Sequence, residues 1–114
     1  MRISDIQKRI QAKLVAGNIE NAEPVYNGFA SDLMSDVLTV NMNRLLLITG
    51  LNNLQTIRTA EMAEIQTVIF SRNKQPTQEM IDLANKEKII LLVSEKSMFH
   101  VCGLLFKAGL KPVF

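Results

Sequence analysis

Two Ser-Asp pairs stand close together in the segment NGFASDLMSDVL, residues 27–38, as Ser31-Asp32 and Ser35-Asp36. Hydroxyls and carboxylates this near to one another are groups that acid/base catalysis and hard metal ions use. A metal site also requires a further His, Asp or Glu from elsewhere in the chain. Catalysis or metal binding is therefore one interpretation of this segment.

The same segment is also typical of the start of a helix. With Ser31 as the N-cap, its hydroxyl accepts a hydrogen bond from a free amide, and Asp32 lies in the first turn, where the helix dipole favours negative charge. The apolar stripe then consists of Leu33, Met34, Val37 and Leu38. The polar helix face consists of Ser31, Asp32, Ser35 and Asp36. Because this interpretation accounts for every residue, we favour it over catalysis and predict no catalytic residue and no metal.

Polar loops follow three apolar runs: TGLNN at 49–53, SRNKQP at 71–76 and SEKS at 94–97. Ligands of open parallel sheets bind beyond the carboxyl ends of the strands. The predicted ligand-binding residues are Asn52, Asn53, Ser71, Arg72, Asn73, Lys74, Ser94 and Lys96. Their hydroxyls, cations and backbone amides suit a nucleotide phosphate or another small anion. The same residue types serve as turn residues and helix caps, so a purely structural role is the open alternative.

The elements that position these loops follow from hydrophobic periodicity. LLLIT begins at Leu45, TVIFS at Thr67 and IILLV at Ile89, and continuous apolar runs of this kind are typical of strands buried on both faces of a parallel sheet. Two shorter strands are predicted in KLVAG and PVYNGF. Helical spacing marks four segments, recognised by Ile3, Ile6 and Ile10, by Leu54, Ile57 and Ala60, by Met80, Ile81, Leu83 and Ala84, and by Met98 to Ala108 before Gly109.

These segments predict one domain over residues 1–114, with the first helix ending near Ala12. Strands that alternate with helices require crossover connections on one sheet. The predicted fold is α/β, a three-layer α/β/α architecture whose mostly parallel sheet has four to five strands and is built from βα units.

Composition excludes several functional classes. Thirteen Lys and Arg against eleven Asp and Glu give a net charge of +2, too small for a nucleic-acid footprint. One cysteine and one histidine leave no intramolecular disulfide, no cysteine-rich zinc site and no multi-histidine site. Neither Gly-x-x-x-x-Gly-Lys-Ser/Thr nor Gly-x-Gly-x-x-Gly occurs, so we predict no cofactor. His100 is predicted to be a solvated or interface residue, and Cys102 to be an inert core thiol.

The amino terminus MRISDIQKRIQAK lacks the unbroken apolar core of a secretory signal. The longest apolar runs fall far short of the ~20 residues that cross a bilayer. The expectation is therefore a cytoplasmic protein with no membrane partner.

The stretches NGFASDLMSDVL, LLLITG, TVIF and LANKEKIILLVSEKSMF together resemble the DRTGG domain family, from about Val25 to Leu110. The chain is most similar to the small stand-alone members often encoded near iron-only hydrogenase genes. The wider family includes regulatory domains attached to HPr kinase, phosphotransacetylase and CBS-containing pyrophosphatases. The resemblance implies a non-catalytic accessory role and frequent dimerisation. The kinase chemistry of the HPr enzyme lies in another domain, whose phosphate-binding loop this sequence lacks.

The sequence departs from the family in two loops. Many relatives carry a Gly-Asp-Arg-like stretch where this chain has Gly50-Leu51-Asn52-Asn53, and Thr-Gly-Gly where it has Ser71-Arg72-Asn73. If those family positions bind a ligand, this chain binds it differently or has lost it.

The preferred hypothesis is a regulatory or ligand-sensing domain that acts as a homodimer and has no chemistry of its own. Two alternatives stay open. One is an interaction subunit whose partner is a protein of a redox or hydrogenase-related complex. The other is a phosphate-handling enzyme that uses Asp32 or Asp36 with Arg72 or Lys74, and it predicts that these side chains converge on one pocket.

Overall fold

Six strands form a single sheet in the computed structural model, which describes all residues from Met1 to Phe114. The strands are β1 (Lys13–Ala16), β2 (Asn27–Ala30), β3 (Leu45–Thr49), β4 (Thr67–Phe70), β5 (Ile90–Val93) and β6 (Lys111–Pro112). Their order across the sheet is β1-β5-β4-β3-β2-β6. The edge strand β1 runs antiparallel to β5, and all other neighbours are parallel.

Five helices flank the sheet: α1 (Ile3–Arg9), α2 (Met34–Val37), α3 (Leu54–Met62), α4 (Gln78–Lys86) and α5 (Met98–Lys107). A single 3-10 turn covers Ile19–Asn21. The three longest helices each begin after a side chain that accepts a backbone N–H, as helix N-caps do. These caps are Asn53, Thr77 and Ser97. The longest helix has 10 residues, and none of the five is long and apolar enough to cross a membrane.

The layers follow from the order of the strands. Strands β2 to β5 lie side by side in chain order, and right-handed crossovers place α2, α3 and α4 together on one face. After β5 the chain returns across the sheet to pair β6 with β2, so α5 joins α1 on the opposite face. Two cores result. One contains Met34, Val37, Ile57, Ala60, Met80 and Ala84, and the other contains Ile3, Ile6, Ile10, Val101 and Leu105.

The predicted three-layer α/β/α fold is confirmed, with differences in detail. The sheet has six strands rather than four to five, because β6 has only two residues, one of them Pro112, and carries no periodic signal. The first helix ends at Arg9 instead of near Ala12, and β5 begins at Ile90, one residue after the predicted start.

The predicted helix entry at Ser31 is wrong. Helix α2 has only four residues, begins after Leu33 and has no side-chain cap. The Ser31 hydroxyl accepts the N–H of Leu33 at 3.0 Å, which closes a local turn of the kind that competes with helix formation. Met34 and Val37 are buried as expected, but Leu33 and Leu38 are 57% and 47% exposed. The four-residue apolar stripe is therefore only half formed.

Candidate ligand site at the carboxyl edge of the sheet

The loops that follow β2, β3, β4 and β5 meet at one edge of the sheet, because these strands are parallel. The strand ladder continues one residue past three of the strands. The amides of Ser31, Ser71 and Ser94 donate to carbonyl oxygens of the neighbouring strands at 3.1, 3.0 and 2.9 Å. These serines therefore begin the loops after β2, β4 and β5 along one row. The three predicted ligand loops, which follow β3, β4 and β5, share this edge with the loop after β2.

Asp32 follows Ser31 at this edge of the sheet and contacts the loop after β3. Its Oδ1 accepts hydrogen bonds from the Gly50 amide at 2.7 Å and from Thr49 Oγ1 at 3.0 Å. The Thr49 hydroxyl in turn accepts the N–H of Leu51 at 3.1 Å. The carboxylate is exposed, and its Oδ2 forms no hydrogen bond within the protein. Asp32 thus joins the β2 and β3 loops, instead of occupying the first turn of a helix as predicted.

Ser71 has a hydroxyl without a partner in the protein, although the residue as a whole is buried. The residue is 1% exposed, and its Oγ takes part in none of the side-chain hydrogen bonds of the chain. A Cβ placed on Gly50 would lie 3.6 Å from each carboxylate oxygen of Asp32 and 3.7 Å from Ser71 Oγ. The three oxygens therefore border one small space, which we call the Gly50 notch.

The loop after β4 has an unusual backbone. Arg72 and Asn73 both adopt left-handed conformations, with φ of 54° and 55°. Hydrogen bonds to the next loop hold them there, from the Arg72 amide to the Lys96 carbonyl at 2.8 Å and from the Asn73 amide to the Ser94 carbonyl at 2.7 Å. The Lys74 amide donates to the Ser71 carbonyl at 3.2 Å. These three amides are already used, so an anion at this loop would be held by side chains and not by its backbone.

Two predicted residues tie the loops to one another. Asn52 Nδ2 donates to the Gln75 carbonyl at 2.9 Å, and Gln75 Nε2 donates to Asn73 Oδ1 at 2.7 Å. Two others serve the framework: Asn53 caps α3, and Ser94 Oγ donates to the Ile10 carbonyl at 2.8 Å. The side chains that remain free of such contacts are those of Ser71, Arg72, Lys74 and Lys96.

Ser35 and Asp36 lie exposed on α2, and the Asp36 carboxylate has no hydrogen-bond partner. The ion pairs of the chain are Arg2–Asp5 and Arg44–Glu23, each at 3.5 Å. Neither Asp32 nor Asp36 is therefore paired with a basic residue of the loops. No group of three His, Cys, Asp or Glu side chains is arranged to hold a metal ion.

Sequence reasoning missed two cavities, because their linings come from distant parts of the chain. An apolar cavity of about 200 Å³ lies between α5 and the β2–β6 edge, where it is lined by Gly28, Ala30, Ile48, Cys102, Leu105, Phe106, Leu110, Lys111 and Pro112. Burial raises the pKa of the Cys102 thiol above its ordinary value. A polar cavity of about 540 Å³ lies at the opposite edge of the sheet and is lined by Gly17, Asn18, Asn21, Gln66, Asn85, Lys88 and Ile90.

The sequence matches no protein-family model and no curated protein. Its fold is similar to a crystal structure of the CBS and DRTGG domains of the regulatory region of Clostridium perfringens pyrophosphatase, complexed with the activator diadenosine tetraphosphate. The TM-score is 0.74 at 15% sequence identity, over 90% of this chain and 45% of that one. The chain thus spans less than half the length of that structure. At this identity the likeness shows a shared fold, and the predicted DRTGG-like architecture is confirmed at that level.

Proposed function

We propose that the chain is a non-catalytic regulatory domain that senses a small phosphorylated ligand, such as a nucleotide, at the carboxyl edge of its sheet. The observation that carries this proposal is a group of cations without ion-pair partners on two joined loops. Arg72 and Lys74 lie on one loop and Lys96 on the next, and the 2.8 Å bond from the Arg72 amide to the Lys96 carbonyl joins the loops. Guanidinium and ammonium groups are the usual side-chain partners of phosphate.

Hydrogen bonds between the loops fix the backbone at this edge of the sheet before a ligand binds. The amides of Arg72 and Asn73 are hydrogen-bonded to the neighbouring loop, so the backbone that carries the Arg72 and Lys74 side chains has one fixed conformation. Preorganisation reduces the ordering that a ligand must impose, and so favours binding. Asp32 and Glu95 are the acidic residues of the same loops, and three cations leave the local charge positive.

The similar fold gives independent support for regulation. The pyrophosphatase domains belong to a regulatory region and were complexed with a nucleotide activator, diadenosine tetraphosphate. That region contains two kinds of domain, and the likeness assigns no nucleotide site to this chain. The support for a site here rests on the loops themselves.

The proposal includes a homodimer formed in the cytoplasm through α5. Phe99 and Phe106, two turns apart on this helix, are 88% and 68% exposed. Exposed apolar surface of this kind is typical of an association site. Light scattering should report a dimer, and the double variant Phe99→Ser, Phe106→Ser should be monomeric. Met62→Ser is the control, since Met62 is 69% exposed on the opposite layer; a monomeric unmodified protein would refute the dimer.

The two alternatives have less support. A phosphate-handling enzyme would use Asp32 or Asp36 with Arg72 or Lys74, but Asp32 Oδ1 already accepts two hydrogen bonds and neither aspartate is paired with those cations. An interaction subunit of a redox or hydrogenase-related complex would use the same exposed face of α5, and no feature of the structure specifies such a partner.

Titration calorimetry with ATP, diadenosine tetraphosphate and tripolyphosphate tests the ligand. We expect at least one of them to bind, and the double variant Arg72→Ala, Lys74→Ala to bind it at least about tenfold more weakly, because two charge-assisted contacts are lost. Arg58→Ala with Lys86→Ala removes the same charge from exposed helix positions and should change affinity less than about twofold. Absence of binding by all three probes, or equal weakening by both double variants, would refute the site.

A further inference from the structure

The Gly50 notch contains a hydroxyl whose hydrogen-bonding capacity the protein leaves unused. Ser71 is 1% exposed, yet its Oγ has no partner. Ser71 Oγ is not among the enclosed atoms that lack a partner, so the oxygen reaches the surface at the notch and can form a hydrogen bond with a group from outside the protein. The oxygen borders the space over Gly50, so a group that enters the notch can form a hydrogen bond with it.

A second hydroxyl, at the other end of β4, shows that an unpartnered group alone does not make a site. Thr67 Oγ1, at the amino end of β4, is also without a partner, but it is fully enclosed by the protein. No ligand reaches it. Ser71 differs because it faces the Asp32 carboxylate across the notch.

The Asp32 carboxylate forms the other wall of the notch and determines which ligand groups can bind there. Asp32 Oδ1 is occupied by the Gly50 amide and the Thr49 hydroxyl, whereas Oδ2 has no partner. An ionised carboxylate is only an acceptor, while a serine hydroxyl both donates and accepts. The notch therefore favours a ligand group that carries its own donor hydrogens, such as a hydroxyl. A phosphate oxygen has none to offer and would meet the negative carboxylate, so phosphate is excluded from the notch.

We propose that the Gly50 notch is a subsite for two adjacent hydroxyls, the vicinal diol of a ribose. One hydroxyl donates to Asp32 Oδ2 and the other pairs with Ser71 Oγ, while the phosphates lie toward Arg72 and Lys74. This inference rests on the proposed function, and it narrows the ligand from a phosphorylated compound to a ribonucleotide.

The variant Gly50→Ala tests the notch without a large change in the fold. The added methyl would make ordinary contacts of 3.6 and 3.7 Å, and Gly50 is not among the glycines with positive φ. The methyl group would occupy the space that we assign to the diol of the ligand. We expect ATP to bind this variant at least about tenfold more weakly, while 2′,3′-dideoxy-ATP, which has no diol, binds the variant and the unmodified protein within about twofold.

Ser71→Ala has a matched control in Thr67→Val, which removes the enclosed hydroxyl at the other end of β4. Ser71→Ala should weaken ATP about tenfold and leave 2′,3′-dideoxy-ATP unchanged, and Thr67→Val should alter neither. Melting temperatures of all variants establish that each is folded.

The outcomes separate the two proposals. If ATP binds but the dideoxy analogue binds equally well, or if Gly50→Ala weakens both to the same extent, the diol subsite is refuted and the phosphate site stands. If ATP, diadenosine tetraphosphate and tripolyphosphate all fail to bind, the proposed function itself fails and the subsite fails with it. Tighter binding of the dideoxy analogue than of ATP would also refute the subsite.

Discussion

The carboxylate of Asp32 accepts the backbone N–H of Gly50 at 2.7 Å, across a separation of 18 positions in the chain. The bond joins the loop after β2 to the loop after β3, at the edge where the parallel strands end. The same carboxylate oxygen also accepts the Thr49 hydroxyl. One side chain therefore shapes the junction of two loops and forms a wall of the Gly50 notch.

Asp32→Ala should lower the free energy of unfolding by about 1–2 kcal/mol, because the Gly50 amide and the Thr49 hydroxyl lose a charged acceptor at a partly exposed position. Asp36→Ala is the matched control. The Asp36 carboxylate makes no hydrogen bond, so its removal should change stability by less than about 0.5 kcal/mol. Urea denaturation measures both; equal losses would show that the Asp32 bonds contribute nothing specific.

Two buried hydroxyls should respond to removal with opposite signs. Ser94 Oγ donates to the Ile10 carbonyl at 2.8 Å, so Ser94→Ala leaves a buried acceptor unpaired and should destabilise by about 1–2 kcal/mol. Thr67 Oγ1 has no partner, and Thr67→Val replaces it by a methyl group of similar shape. We expect Thr67→Val to be neutral or to stabilise by up to about 1 kcal/mol. Thermal unfolding of both variants tests these expectations. If Thr67→Val is less stable than the unmodified protein, the Thr67 hydroxyl has a hydrogen-bond partner in solution.

Gly17 is required by both backbone conformation and space. Its φ is +87°, and a Cβ there would lie 2.8 Å from the Ile90 Cα and 2.9 Å from the Ile89 carbonyl oxygen. These are backbone atoms of the neighbouring strand region, so they move at a cost. Gly17→Ala should destabilise by about 2–5 kcal/mol, as judged by denaturant titration.

Gly103 provides the contrasting glycine. It lies within α5, and a Cβ would meet nothing within 4 Å. Gly103→Ala should raise the free energy of unfolding by about 0.5–1 kcal/mol, since glycine is a poor helix former. If the two glycine variants behaved alike in the same denaturant titration, the proposed crowding at Gly17 would be ruled out.

Cys102 should react slowly with alkylating reagents at neutral pH. Burial raises the pKa of its thiol, so the folded protein holds less thiolate than a free cysteine does. The sign for stability follows: the neutral thiol is favoured in the folded state, and this contribution is fully present below the ordinary thiol pKa and is lost as pH rises through the raised value. Iodoacetamide rates measured against pH, with the urea-unfolded chain as reference, test this; equal profiles would contradict it.

The sequence was informative wherever one residue type and its neighbours decide the structure. The starts of β3 and β4 at Leu45 and Thr67 were predicted from apolar runs, because strands buried on both faces are apolar throughout. Gly109, with φ of +110°, ends α5 as predicted. The shared edge of the three loops also followed from parallel strands alone.

Local sequence patterns did not predict contacts between residues that are far apart in the chain. Ser31 and Asp32 have the local character of a helix entry, and the competing partners of Asp32 lie in another loop, on Thr49 and Gly50. Strand β6 depends on its partner β2 rather than on its own two residues. Ser71 was selected as a polar loop residue, but its unpartnered hydroxyl emerges only once Gly50 and Asp32 are placed around it.

Both edges of the sheet are completed by pairings between opposite parts of the chain, Lys13 with Val93 on one side and Asn27 with Lys111 on the other. Contacts between residues so far apart in sequence require large loops to close, and chains rich in such contacts fold slowly. The pairings among β2, β3, β4 and β5 join residues that are much closer in sequence. We therefore expect β2 to β5 to assemble first during refolding, with β1 and β6 docking in a later and slower step.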